Sequence, residues 1–387
     1  VCAMRELHAG VIGYGFMGKT HTHSYKTIPL YYSNLPFTVR LEGICDTTPH
    51  VAEEARDMQG YAYATTDPMQ IINDPKIDVV SICTPNVFHK DLVLAALKAG
   101  KHVYCDKPLT ANAAESREIL DVLPNYPHQT TQVALQMRFY PAVMRAKQLI
   151  EEGRLGKIFL YQCDYLHSSG IDPNKPLSWK QNRSFGGGGV LLDLGAHAYD
   201  VMYYLLGEYQ NVYTITDIVY PQRPDGKGSI VNVEAEDTAI TLAAMKSGCT
   251  GKILVSKVAT GMMDELRFDI HGEKGALSFS TMNPGYLRFY DATRPEQPLG
   301  GEAGFTWIDC HQKYPEPGGH FPNPRFAIGF LRAHAGSMYN FLENVAAGRQ
   351  SSPSFAESAY IQQVMESCYQ SQAENRWVNM EGDTKHD

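Results

Sequence analysis

Apolar and polar positions alternate along this chain in two different rhythms. In the first third, short apolar runs at 7–12, 39–46, 78–84, 101–105 and 131–136 read as strands. Between them, apolar residues recur at helical spacing: one helix runs through Tyr25, and others cover 49–59, 90–99 and 112–123. The run 78–84, Asp-Val-Val-Ser-Ile-Cys-Thr, is almost continuously apolar, as a strand covered on both faces must be. Such strand–helix alternation predicts a doubly wound parallel sheet with right-handed crossovers. Beyond about residue 135 the rhythm changes. A helix at 142–152, a strand at 158–165 and a helix at 193–206 lead into strands at 212–219, 237–245, 251–258, 265–271 and 276–280. Turns such as Lys246-Ser247-Gly248 and Gly272-Glu273-Lys274-Gly275 separate neighbours, as in an antiparallel meander. The Pro/Gly-rich stretch 284–324 reads as irregular, and helices return at 333–347 and 355–372.

The predicted class is therefore α/β plus α+β. A parallel-sheet domain spans 4–135. A second domain spans 136–387 on a large, mainly antiparallel open sheet, with the helix at about 355–372 packing back on the first domain. At 387 residues the chain is too long for one core, which agrees with two domains.

Composition narrows the function classes. Lys and Arg number 34 against 42 Asp and Glu, a net charge of −8 with no long basic run, so a nucleic-acid partner is not expected. No stretch approaches the roughly 20 apolar residues that span a bilayer. Residues 1–10 carry Arg5, Glu6 and His8 and lack a signal-peptide core. Eight cysteines, at 2, 45, 83, 105, 163, 249, 310 and 368, form no C-x-x-C pair, which fits a reducing cytoplasm.

Candidate chemistry sits at the strand ends. Gly13-Tyr14-Gly15-Phe16-Met17-Gly18 follows a strand and opens a helix, the setting in which a glycine turn cradles a pyrophosphate at a helix N-terminus. Asp46 ends the second strand, where a carboxylate accepts both ribose hydroxyls and repels a 2′-phosphate, favouring NAD over NADP. It lies 28 residues beyond Gly18, more than the usual spacing of about 20, and 29–36, with Tyr31, Tyr32 and Asn34, reads as an insertion. Thr84-Pro85-Asn86 closes the strand at 78–84 and His89 opens the next helix. This is a turn and helix start, at the sheet edge where ligands bind. Cys105-Asp106-Lys107-Pro108 closes the strand at 101–105. The Lys107 ammonium can hydrogen-bond a reacting oxygen, or simply pair with Asp106 at the surface. Downstream, Phe185-Gly186-Gly187-Gly188-Gly189, whose glycines let the backbone pass close to a flat or anionic group, leads to Asp193 and His197, four apart on one helix face, with Asp200 at i+7. Dehydrogenation of an alcohol needs a proton acceptor, and His197 suits that role, with Asp193 orienting it or binding a neighbouring hydroxyl. His21 and His23 lie on different helix faces, and His311 and His320 supply no coherent third ligand, so no catalytic metal is expected.

From about Leu7 to Gln372 these motifs, in this order, resemble the glucose–fructose oxidoreductase, inositol dehydrogenase and rhizopine-catabolism family (Gfo/Idh/MocA), whose first domain is a Rossmann fold. The matched pattern is G-x-G-x-x-G, T-P-x-x-x-H, an acidic residue before Lys-Pro, and G-G-G-x-x-x-D-x-G-x-H. The resemblance implies Lys107 as substrate-oxygen donor, Asp193 as substrate-hydroxyl ligand and His197 as general base. It also implies that Gln136, Arg138, Trp179 and Lys180 line the cofactor and substrate pocket, with Tyr165 and His167 on the substrate side. A cis Lys107–Pro108 peptide belongs to the same pattern. Asp106 departs from the family's glutamate, Lys180 from a common arginine and Gln136 from a frequent asparagine. The implied activity is NAD-dependent hydride transfer from a ring carbinol of a sugar, glycoside or cyclic polyol, in a homodimer or homotetramer. An NAD-recycling glycoside-cleaving enzyme would use the same residues, and a non-enzymatic dinucleotide or sugar sensor would not need them.

Overall fold

The computed structural model describes residues 4–319 and 321–380; Cys2 and His320 lie outside them. The chain divides into two compact units, one comprising 1–139 and 313–360, the other 140–312 and 361–387. The first unit is built on six strands, Arg5–Ile12 (β1), Phe37–Cys45 (β2), Tyr63–Thr65 (β3), Val79–Ile82 (β4), His102–Cys105 (β5) and Thr131–Val133 (β6). They pair in parallel in the order β3-β2-β1-β4-β5-β6. The order reverses between β1 and β4, so the carboxyl ends of these two strands open the crevice that doubly wound sheets use for ligands. β4 is buried at all four positions, matching its unbroken apolar run.

Two features of this unit differ from the sequence expectation. The helix after the glycine turn runs Phe16–Tyr31, beyond Tyr25, because Pro29 falls in its last turn, where the missing N–H removes a single hydrogen bond. Residues 29–31 are thus the end of a longer helix, and 32–36 lead into β2. This stretch forms an aromatic dock for the chain's return: Tyr32 stacks on Tyr339 at 4.0 Å, and the buried Arg332 guanidinium lies 4.3–4.6 Å from the rings of Tyr31, Tyr32 and Tyr314. The returning element is the helix Phe330–Ala347. A buried polar chain fixes it to the sheet. The Tyr104 hydroxyl meets Ser337 Oγ at 2.8 Å, Gln132 Nε2 donates to the Ser337 carbonyl at 3.0 Å, and Asn340 Nδ2 donates to Gln132 Oε1 at 2.9 Å. The strand Tyr63–Thr65 and helix Pro68–Asn73 have no counterpart in the hydrophobic pattern. They are too short to show a period, although Asp67-Pro68 is a cap followed by a proline at the first helical position.

The second unit carries a nine-stranded sheet. Its strands are Ile158–Leu166 (β7), Tyr209–Asp217 (β8), Thr238–Met245, Thr250–Ser256, Glu265–Gly272, Gly275–Ser280, Tyr286–Asp291, Phe305–Asp309 and Val378–Asn379. All pairings are antiparallel except that of Ile158–Leu166 with Thr250–Ser256. Burial alternates along Thr238–Met245, so one face is covered and the other open. Helices Pro141–Glu151 and Ala196–Leu206 lie against strands of this sheet. The stretch 284–324 is not irregular throughout: Tyr286–Asp291 alternates apolar and polar residues and pairs with Phe305–Asp309 at the sheet edge.

Burial in the first unit generates a pH dependence. Desolvation pushes the pKa of His21 down to about 4, partly opposed by Asp106. His102 is also lowered to about 4, by desolvation and then by Arg5. In the unfolded chain each imidazole takes up a proton near pH 6.5. The unfolded state therefore binds more protons below that value, and stability present above pH 6.5 is lost as pH falls toward 4, by up to roughly 3 kcal/mol per ring. Urea unfolding of the wild type across this range is expected to show the loss, and His21→Gln to flatten it. An unchanged slope in the variant would remove His21 from the account.

Candidate active site

In the first unit, the sheet's carboxyl edge gathers the glycine turn and two strand-end turns. Gly13 has φ of +92°, and a Cβ on Gly18 would overlap the Gly13 carbonyl oxygen, so both positions require glycine for backbone reasons. Gly15 is different: a Cβ there meets nothing within 4 Å, leaving its side of the turn open for a group to approach. Phe16 is exposed beside it, with its ring 5.9 Å from Phe330, and Met17 is half-buried. The Asp46 carboxylate accepts the Tyr14 amide at 3.0 Å and the Thr48 amide at 2.9 Å, tying the end of β2 to the glycine turn.

At the ends of β4 and β5, Thr84 Oγ1 is a buried polar atom with no hydrogen-bond partner, and Gln136 Oε1, after β6, is another. Both can be satisfied by a polar ligand along this edge, and with the open side of the glycine turn they fit a dinucleotide. Pro85 opens the following turn and Asn86 is buried within it. His89 opens the helix after this turn. Its ring is fully buried, with Nδ1 2.9 Å from the Pro108 carbonyl and Nε2 2.8 Å from the Thr84 carbonyl. The ring thus lies between the turns that follow β4 and β5, its N–H donating to a carbonyl at their base. Asp106 Oδ1 accepts the Lys107 amide at 2.9 Å, and the Lys107–Pro108 peptide is cis. Arg138 is also committed internally, with Nη1 2.7 Å from Glu357 Oε1. It fastens the returning segment to the strand ends.

In the second unit, Asp193 lies in a single π-helical turn, Leu191–Gly195, that precedes the α-helix Ala196–Leu206 carrying His197. The wider turn keeps positions i and i+4 on one side, and such π turns recur at functional sites. His197 is buried, with the edge of Tyr165 against it at 5.9 Å between ring centroids. The Tyr165 hydroxyl donates to Asp264 Oδ1 at 2.7 Å, so Tyr165 offers His197 a wall and has its polar end engaged elsewhere. His167 follows on the same strand, its Nδ1 buried without a partner. Trp179 is exposed, and the neighbouring Lys180 extends to Asp193 Oδ1 at 2.9 Å. Asp193 Oδ2 lies 3.1 Å from the Nζ of Lys257, a residue the sequence reading did not single out.

The glycine run before this helix also acquires a different reason. A Cβ on Gly188 would overlap the Tyr369 hydroxyl, and one on Gly189 would overlap the Glu236 backbone. Glu236 Oε1 accepts the Leu191 amide at 2.9 Å and the Tyr369 hydroxyl at 2.8 Å. The run thus admits a buried carboxylate at the start of the Asp193–His197 helix, where free amides favour an anion.

Comparison with known proteins finds matches along nearly the whole chain. The model of the oxidoreductase family's NAD-binding Rossmann fold (Gfo/Idh/MocA) matches residues 7–133, and that of the family's C-terminal alpha/beta domain matches 147–380. Levoglucosan dehydrogenase of Pseudarthrobacter phenanthrenivorans is 32% identical over 97% of this chain and 99% of its own length. Inositol 2-dehydrogenase of Rhizobium meliloti is 26% identical over 96% and 98%. Among solved structures, levoglucosan dehydrogenase in complex with NADH and levoglucosan has a TM-score of 0.92 at 32% identity, over 97% of this chain and 100% of the other.

Gly189→Ala tests the packing account. Because the clash is with backbone that cannot swing away, it is expected to cost about 1–3 kcal/mol. Thermal unfolding would show this as a lower midpoint, and an unchanged midpoint would return the glycines to a ligand role.

Proposed function

The chain belongs to the Gfo/Idh/MocA oxidoreductase family and is an NAD-dependent oxidoreductase of sugars or polyols, and from that premise we propose that it oxidises one ring carbinol of a monosaccharide or anhydrosugar of the levoglucosan kind. The observation that carries the reading is the similarity to levoglucosan dehydrogenase along nearly the full length of both chains, joined to a carboxylate and an imidazole on one helical side. Bound NAD supplies the acceptor for the carbinol hydride. The glycine turn 13–18 would hold its pyrophosphate at the helix N-terminus, and Asp46 would accept hydrogen bonds from its ribose hydroxyls. Lys107 donates a hydrogen bond to the reacting oxygen and stabilises the charge that develops there. His197 takes the hydroxyl proton onto a ring nitrogen, with Tyr165 bounding the ring. Asp193 accepts a hydrogen bond from an adjacent hydroxyl, which fixes which carbon faces the hydride acceptor.

Seven cysteines among the described residues are free thiols, which supports work in a reducing compartment such as the cytoplasm. The reading includes a homodimer or homotetramer joined through the open sheet face. Ile215 and Ile240 are in register there on neighbouring strands, and they and Leu242 are exposed. Leu242→Lys is expected to lower the mass measured by light scattering; an unchanged mass would place the contact elsewhere.

The decisive assay incubates the protein with NAD and a panel of anhydrosugars, free sugars, inositols and aryl glycosides, following NADH and released aglycone together. NADH formation with a sugar or polyol is expected. Lys107→Ala and His197→Ala are each expected to lower kcat about 10²–10⁴-fold. Aglycone release without net NADH would replace the reading with the cofactor-recycling glycosidase, and near-wild-type turnover in both variants would overturn the residue roles.

A further inference from the structure

Asp193 has two lysine partners in very different surroundings. The Lys180 side chain is 45% exposed and follows the exposed Trp179, whereas the Lys257 side chain is 11% exposed. The backbone of Lys257 is fixed on both sides: its amide donates to the Asp237 carbonyl at 2.9 Å, and its carbonyl accepts the Gly170 amide at 2.8 Å. It directly follows the strand Thr250–Ser256, which pairs with the strand bearing Tyr165. An ammonium in that position is held by the sheet itself, while Lys180 rides on a short exposed turn.

This asymmetry divides the carboxylate into two ends. Oδ2 faces the fixed, buried cation and Oδ1 the exposed one. An exposed ion pair is weak enough to exchange with a polar ligand, whereas breaking a buried pair strands a charge away from water. We propose that Lys257 is the positioning residue of the site: it anchors Asp193 through Oδ2, so that Oδ1 can pass from Lys180 to a substrate hydroxyl without the carboxylate losing its place. The proposal rests on the reading of Asp193 as a substrate-hydroxyl ligand and adds the group that keeps it oriented. Lys257 touches neither substrate nor cofactor in this account and acts through Asp193 alone.

A double-mutant cycle on the full chain tests it, using NADH formation with the sugar the wild type oxidises. Lys257→Met is expected to lower kcat/KM about 100-fold, the scale of loss when a binding group is displaced by about 1 Å. Lys257→Arg, which keeps the charge, is expected to recover most of this, and Lys180→Met to lower kcat/KM less than 10-fold. In an Asp193→Asn background, Lys257→Met is expected to add almost nothing, because its target is already gone. Full additivity of the two losses, or no rescue by arginine, would make Lys257 a purely structural residue and overturn the proposal. If Lys257→Met fails to fold, the cycle is completed with Lys257→Gln and read the same way. Wild-type activity in Asp193→Asn alone would instead overturn the role of Asp193, an outcome distinct from failure of the Lys257 inference.

Discussion

A charged side chain withdrawn from water must be answered by its neighbours, and that requirement organises both units of this protein. Asp193 is met by Lys180 and Lys257, and Glu236 by the Leu191 amide and the Tyr369 hydroxyl. Arg138 is met by Glu357, and the fully covered Asp164 by Arg267 and Lys252 on the sheet face. In each case the partners come from segments distant in sequence. These charges stitch together segments within each unit, and none could be relocated without leaving its counterpart stranded.

The same logic explains how the turns of the first unit hold their shape. A glycine turn is flexible by nature, and the Asp46 carboxylate restrains it through the Tyr14 amide. The turns after β4 and β5 are joined by His89, whose two nitrogens meet one carbonyl from each. Preorganisation of this kind matters for hydride transfer, because distance and orientation of the reacting carbon decide the rate. The returning helix Phe330–Ala347 contributes through Ser337 and Asn340, which complete the hydrogen bonding of Gln132 and Tyr104 beneath the strand ends.

The chain itself determined the class of fold and the candidate motifs, because both are local. Unbroken apolar runs specify covered strands, and a glycine turn between strand and helix specifies its own geometry. Asp193 and His197 share a side by spacing alone, even through a π turn that the spacing did not reveal. Lys257, Glu236 and Tyr369 were invisible because each acts across a gap of tens of residues or more, at positions where the local pattern reads as an ordinary strand end, loop or helix face. The neighbours of His89 in sequence show only a helix start, and only the folded chain brings the Pro108 carbonyl to its ring. The glycine run looked like room for a ligand, and tertiary packing fills that room with Glu236 and Tyr369. Periodicity and turn chemistry are encoded residue by residue, whereas the answering of buried charge is decided only when distant segments meet.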